Sequence, residues 1–259
     1  MRIVSWNVNG IRAAIAKGFC QKLTEFEADI IGVQETKAQE HQVMEACNEI
    51  TGYHRFTNSA KKLGYSGVAL FTKQEPKQLI TTLGIDHFDD EGRLIVAIYD
   101  DFLLANVYFP NGAGKNGDNS RVPYKLAFYD ALFDFLDKYQ CPKLIMGDFN
   151  TAHQDIDLAR PKENQNTSGF LPIERQHFSS ILKRGYMDTF RQFNQEPNQY
   201  TWWNMRFAAR ERNIGWRIDG VLASTDAMTM VKNAFIWPSI LGSDHCPVGI
   251  DLCSVAQPD

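Results

Sequence analysis

Short apolar runs of period two recur along the chain, broken by polar clusters, and between some of them the apolar residues return at helical spacing. Arg2 to Val8 predicts a strand, Ile11 to Phe26 an amphipathic helix, Asp29 to Gln34 a β-branched strand, and Gln39 to Ile50 a second helix. Strands are then predicted at Tyr53 to Thr57, Gly67 to Thr72, Gln78 to Thr82, Arg93 to Tyr99 and Phe102 to Tyr108. Too little sequence separates them for crossover helices, so antiparallel pairing is expected there. Tyr124 to Lys138 and Ile173 to Lys183 read as helices, and Lys143 to Met146 as a buried strand stopped by Gly-Asp. Tyr200 to Trp203, Arg217 to Leu222, Asn233 to Trp237 and Val248 to Leu252 read as extended. This order predicts a layered α/β fold with mixed sheet, and with no long linker, one domain over residues 1–259.

Composition narrows the class. With 259 residues, 44% of them hydrophobic, a sizeable core is available and disorder is excluded. The longest apolar run, Leu94 to Tyr99, is far short of the roughly 18 residues of a membrane span, so no membrane partner is expected. The first strand begins at Arg2, leaving no room for a signal peptide, and a cytoplasmic protein in contact with nucleoid DNA is expected. Five cysteines without a C-x-x-C pair argue against a disulfide framework and a cysteine-built zinc site. The net charge of -4 argues against nucleic-acid binding, but it hides an asymmetry: Leu158 to Arg217 carries ten basic residues against five acidic ones. Aromatic residues interleave with them at Tyr200, Trp202, Trp203, Phe207 and Trp216.

Several apolar strands end abruptly in Asn, Asp, Glu or His: Ser5-Trp6-Asn7-Val8-Asn9, Gln34-Glu35-Thr36-Lys37, Tyr108-Phe109-Pro110-Asn111, Gly147-Asp148-Phe149-Asn150 and Gly242-Ser243-Asp244-His245. Singly, each is an ordinary strand exit. In a layered α/β fold strand ends gather at one edge, so these groups are expected to converge on one cleft. Convergent carboxylates repel unless a cation sits among them, and oxygen donors select a hard ion such as Mg2+ or Mn2+. This is a phosphodiesterase inventory, without a nucleophile elbow, P-loop or dinucleotide fingerprint.

Seven segments, in order, closely resemble the exonuclease III type AP endonucleases. They are Trp6-Asn7-Val8-Asn9-Gly10-Ile11-Arg12-Ala13, Val33-Gln34-Glu35-Thr36-Lys37, Gly64-Tyr65-Ser66-Gly67-Val68-Ala69, Gly147-Asp148-Phe149-Asn150-Thr151-Ala152-His153, Gly169-Phe170-Leu171-Pro172, Gly215-Trp216-Arg217-Ile218-Asp219 and Gly242-Ser243-Asp244-His245-Cys246-Pro247. The resemblance implies the deoxyribonuclease I-like fold, a four-layered α/β sandwich with two packed mixed β-sheets. It implies Mg2+-dependent cleavage of double-stranded DNA 5′ to an abasic site in base excision repair, with 3′ to 5′ exonuclease or 3′-end trimming. A monomer with no obligate protein partner is expected.

By the same resemblance, Glu35 is the principal metal ligand, with Asn7, Asn9 and Asp244 around it. Asp148 positions or deprotonates the attacking water, Asn150 orients it, and His245, held in one tautomer by Asp219, contacts the scissile phosphate. Tyr108, Asn111 and Asn164 match phosphate positions, and Trp202 and Trp216 the walls of a pocket too small for a base, with Ile218, two residues past Trp216, on the same face of an extended segment. Arg206 and Arg210 are expected on backbone phosphates. Some relatives carry Asp where this chain has Asn9, which leaves two-metal binding open; Gly114 stands where some place an inserting Arg. The same fold also serves phosphatases of inositol phosphates, sphingomyelinases and silent DNA-binding relatives, but the Trp202, Trp216 and basic-strip set resembles the DNA enzymes.

Overall fold

The computed structural model describes residues 1–253. Its strands are β1 (Arg2–Asn7), β2 (Ile30–Gln34), β3 (His54–Asn58), β4 (Val68–Thr72), β5 (Gln78–Ile80), β6 (Leu94–Ile98), β7 (Leu103–Tyr108), β8 (Lys143–Asp148), β9 (Tyr186–Asp188), β10 (Trp202–Trp203), β11 (Gly215–Trp216), β12 (Asp219–Ser224), β13 (Val231–Ile236) and β14 (Val248–Leu252). The helices are α1 (Ile11–Ile15), α2 (Phe19–Glu25), α3 (Glu40–Ala46), α4 (Asp86–Asp89), α5 (Val122–Leu136), α6 (Pro172–Lys183), α7 (Thr189–Phe193) and α8 (Thr225–Met228). One six-stranded sheet has the order β13-β14-β1-β2-β4-β3, the other β5-β6-β7-β8-β12-β9.

The period-two pattern decides the layers. In β7, Leu104 packs between the sheets, while Leu103, Ala105 and Val107 face α5 and α6. In β1, Ile3 faces the inter-sheet core, and Val4 and Trp6 face the helices α1 to α3. The result is helices, sheet, sheet, helices, the four-layered sandwich that the resemblance implies. Each large apolar side chain fully buried in these cores contributes about 1.5–3 kcal/mol. The sheets approach closely at Gly32, where a Cβ would lie 2.2 Å from Met146 Cε and 2.7 Å from Asn106 Oδ1. Asn106 uses that proximity: its amide donates to Ala69 O (2.9 Å) and its Oδ1 accepts from Gln34 Nε2 (2.6 Å), fastening one sheet to the other.

The topology explains where polar strand ends go. Each sheet contains one parallel pair, β1 with β2 and β7 with β8, joined by a helical crossover. Parallel strands end on the same side, so Asn7, Glu35, Tyr108 and Asp148 emerge at one edge. The strands β12 and β14 run antiparallel to β8 and β1, so their starts, Asp219 and the His245 segment, reach that edge too.

The structure differs from expectation in places. The helix Ile11 to Phe26 is two helices, because Gly18 takes a left-handed φ of 82° between them. The strand expected from Arg217 starts at Asp219, since Arg217 N donates to Asp157 O and Ile218 N to Thr201 Oγ1. The three-residue β9 and the short α4, α7 and α8 carry too few residues to show a period.

Candidate active site

Asn7, wholly buried at the end of β1, holds the centre of the site. Its Nδ2 lies 2.9 Å from Glu35 Oε1 and 2.9 Å from Asp148 Oδ2, so one amide bridges carboxylates delivered by the two sheets. Glu35 follows β2 in a left-handed conformation (φ 54°), and Asn9 (48°), Lys37 (50°) and Asn150 (50°) share it. Four such non-glycine residues round one cleft are backbone strain held by the packing beneath them. Lys37 Nζ pairs with Glu35 Oε2 at 2.7 Å and also reaches Asn9 Oδ1. Burial opposes ionisation of Glu35, yet Lys37 and the Asn7 amide hold its carboxyl below the usual range.

Asp148 is buried at the end of β8, directly opposite Asp219 in the β8–β12 register. Asn150 supports it through its backbone N (2.8 Å to Oδ1), and Asn150 Oδ1 in turn accepts from Asn111 (3.2 Å). Burial first, then Asp219, raises the Asp148 pKa well above the usual carboxylate range, with Glu35 adding to it. His245 Nδ1 lies 2.9 and 3.1 Å from the two Asp219 oxygens, which fixes the ring and leaves Nε2 toward the cleft. Burial alone would lower the His245 pKa; the Asp219 carboxylate overrides it and pushes it up to about 10. Tyr108, under a buried Arg93 guanidinium 4.6 Å from its ring, has its pKa raised well above normal by burial and by Glu35, so the phenol keeps its proton.

Ligand atoms of Glu35, Asp148 and His245 lie within 4.8 Å of one another, a group able to hold a metal ion. Two of these groups are carboxylates, hard oxygen donors, and burial together with Asp219 and Glu35 opposes the charge on Asp148. That fits a hard divalent cation. Asp244 stands beside them, accepting from Asn9 Nδ2 and Trp202 Nε1, both at 3.0 Å.

These groups open into a cleft of about 400 Å³ lined by Glu35, Tyr108, Asp148, Asn150, Trp202, Trp216, Ile218, Asp244, His245 and Asn111, among others. Its apolar wall is a satellite cluster of Ala152, Leu158, Phe170 and Ile218 with Trp202 and Trp216 packed on it. The two indoles are cross-strand partners in β10–β11, edge-to-face at 6.3 Å. On the far side of the indoles a second groove, about 510 Å³, is lined by Arg160, Asn164, Arg206, Phe207 and Arg212 among others, so Asn164 and Arg206 lie outside the cleft itself.

One expected residue is turned away. Arg210 donates to Ser243 O (2.8 Å), Pro238 O (2.9 Å) and Ile240 O (2.7 Å), with its guanidinium over Trp203 at 4.6 Å. These contacts tie down the loop before His245, where the sequence reading expected Arg210 on a backbone phosphate. Arg217 and Arg191 of the basic strip are likewise bound to Asp157, and Arg217 also to Asp188. Sequence reasoning missed Thr201, whose Oγ1 donates to Asp219 Oδ2 at 2.6 Å, and the role of Lys37; the only signals were their places beside Trp202 and in the Glu35 motif.

The chain matches the Endonuclease/Exonuclease/phosphatase family over residues 4–245 and belongs to it. It is 42% identical over 253 residues, 96% of this chain and 98% of its relative, to the exodeoxyribonuclease of Bacillus subtilis (strain 168). It is 36% identical over 255 residues to the DNA-(apurinic or apyrimidinic site) endonuclease of Dictyostelium discoideum, covering 96% of this chain and 70% of that one. Among solved structures, the 3′ phosphatase NExo from Neisseria, bound to a product DNA hairpin, matches with a TM-score of 0.88 at 28% identity, covering 98% of this chain and 99% of that one. Within the family the chain stands with the exonuclease III type AP endonucleases, hydrolytic nucleases of DNA repair. Among the described residues no helix is long and apolar enough to cross a membrane.

Proposed function

We propose that this nuclease, acting as a monomer in the cytoplasm, hydrolyses the phosphodiester 5′ to an abasic site in duplex DNA, leaves a 3′-hydroxyl, and trims blocked 3′ ends at the same centre. The observation that carries the reading is the gathering of Glu35, Asp148 and His245 against an apolar wall of Trp202, Trp216 and Ile218. Glu35, with Asn7, Asn9 and Asp244 around it, would hold Mg2+ or Mn2+, which supplies positive charge for the phosphoryl oxygens and the leaving 3′-oxygen. Asp148, which lines the cleft and is held through one oxygen by Asn150 N, would act as the base that takes a proton from the attacking water. His245, charged and oriented by Asp219, donates from Nε2 to a phosphate oxygen. Tyr108 and Asn111, which line the same cleft, would contact the same phosphate.

Discrimination follows from the wall. Trp202, Trp216 and Ile218 offer an apolar wall for a sugar without a base, and extruding such a sugar costs less than unstacking a normal nucleotide. Asn164 and Arg206 in the outer groove contact the continuing backbone. The test is nicking of an abasic-site duplex by wild type and by Glu35→Ala with Mg2+ or EDTA, with a phosphoinositide as competing substrate. Loss of nicking by about a thousandfold is expected for Glu35→Ala, and EDTA should stop the wild type. Equal nicking by both proteins, or preference for the phosphoinositide, rejects the reading.

A further inference from the structure

The active site as described leaves one buried ion pair without a purpose. Lys125 and Glu174 side chains are both 0% exposed, with Lys125 Nζ 2.6 Å from Glu174 Oε1. Taking two charges out of water costs more than their attraction returns unless the geometry is demanding, and apolar replacement of such pairs is often neutral or stabilising. The partners of this pair indicate what it does. Lys125 Nζ also donates to Asn150 O at 2.6 Å, at the left-handed residue whose backbone N and amide hold Asp148. Glu174 accepts from Gly169 N (2.6 Å), Leu171 N (3.2 Å) and Ser168 Oγ (3.3 Å), in the segment that forms the cleft wall. Gly169 O accepts from Ala152 N, and a Cβ at Gly169 would lie 3.1 Å from Asn150 O and 3.3 Å from Trp216 Cζ3.

We propose that Lys125 and Glu174 are positioning residues that lock the Asn150 turn beneath Asp148 to the wall of the sugar pocket, so that the water-activating carboxylate and the lesion-selecting slot keep one spacing. This rests on the function proposed above. With the pair absent, the strained Asn150 turn loses its carbonyl anchor and Gly169 is free to move away from Trp216. A displacement near 1 Å at such a centre lowers turnover by about a hundredfold. Both consequences arise together because one ammonium serves both sides.

The experiment compares wild type with Lys125→Met/Glu174→Gln, which removes both charges while Gln keeps an oxygen for Gly169 N and Leu171 N. Expected are a circular-dichroism spectrum like wild type, a kcat on abasic duplex lower by about 10- to 100-fold, and a KM within about threefold. The ratio of nicking at abasic over intact duplex should fall about tenfold. A folded double variant with wild-type kcat and wild-type ratio overturns the proposal. Gly169→Ala, which keeps the backbone N bonded to Glu174 but at a φ of 93° presses its Cβ on Asn150 O and Trp216, gives a second readout if the double variant does not fold. It should lower kcat and the ratio together, and wild-type values for both overturn the proposal. Failure of the wild type itself to nick abasic duplex rejects the proposed function instead, so the two failures are distinguishable.

Discussion

On the inner side of the Trp202–Trp216 wall each polar group leans on another: Asn7 on Glu35 and Asp148, Asp219 on His245 and Thr201, Asp244 on Asn9 and Trp202. On the outer side, Arg206 and Arg212 have no carboxylate partner among the described residues, and Phe207 and Met205 stand in water at 85% and 81% exposure. The inner web is mostly buried, and charge there shifts proton affinities. The outer groove is wet, and charge there is screened within about 10 Å at ordinary salt. The difference predicts where a substitution acts: inside it should change chemistry and fold stability together, outside it should change the strength and salt dependence of DNA binding.

The sharpest way to break that comparison is Asp148→Asn. Loss of the base should lower kcat on abasic duplex by about a thousandfold. In EDTA the same change should stabilise the protein. Asp148 has a raised folded pKa, so the folded state holds a proton the unfolded state has lost, and its share of stability falls as pH rises above the ordinary carboxylate range. The His245 contribution is present in full below its ordinary pKa near 6.5 and is lost as pH rises through about 10. Both slopes point the same way, so metal-free wild type should lose thermal stability from neutral to alkaline pH. Asp148→Asn should melt several degrees higher than wild type at pH 8 and nearly level with it at pH 4. A lower melting temperature at pH 8 would show that the inner web is not electrostatically frustrated.

Next in size is Trp216→Ala. Its indole packs on Phe170 at 6.2 Å and stands across from Trp202, so truncation opens the slot without touching a carboxylate. The preference for abasic over intact duplex should fall about tenfold, with a smaller loss of kcat on the abasic substrate. Competition between the two duplexes in one reaction measures it, and an unchanged ratio removes the indole from selection.

What the chain reveals in advance divides along the same wall. The strands and their polar ends are legible because burial forces alternation and because polar residues at five strand ends are too many for ordinary turns. The convergence of Glu35, Asp148, Asp219 and His245 follows from parallel pairs and antiparallel neighbours once the sheets are known. Lys125, a cation on the apolar face of α5 three residues from Val122 and from Phe128, is not singled out from the sequence, and its partners Asn150 and Glu174 are 25 and 49 residues away. The basic strip is harder to read, because a count of charges does not say which are already paired. Arg191 and Arg217 are bound to Asp157, and Arg210 to three carbonyls, through tertiary contacts that no local pattern encodes.

That distinction gives the finest test, a comparison of Arg206→Ala with Arg210→Ala. Each phosphate neutralised by a side chain adds about 0.9 to the slope of log binding constant against log salt, so Arg206→Ala should make the slope shallower by about 1 and weaken binding a few-fold at ordinary salt. It should leave thermal stability unchanged, because its exposed guanidinium supports nothing. Arg210→Ala should do the reverse. Three hydrogen bonds to carbonyls and the stacking on Trp203 together contribute about 2 kcal/mol, enough to lower the melting temperature by roughly 5 °C in a chain of this size. Its salt slope should match wild type, while kcat falls slightly because the Ser243 carbonyl it holds precedes His245 by two residues. If the two slopes change alike, Arg210 reaches phosphate after all, and the line drawn at the indole wall between structural and DNA-facing cations is in the wrong place.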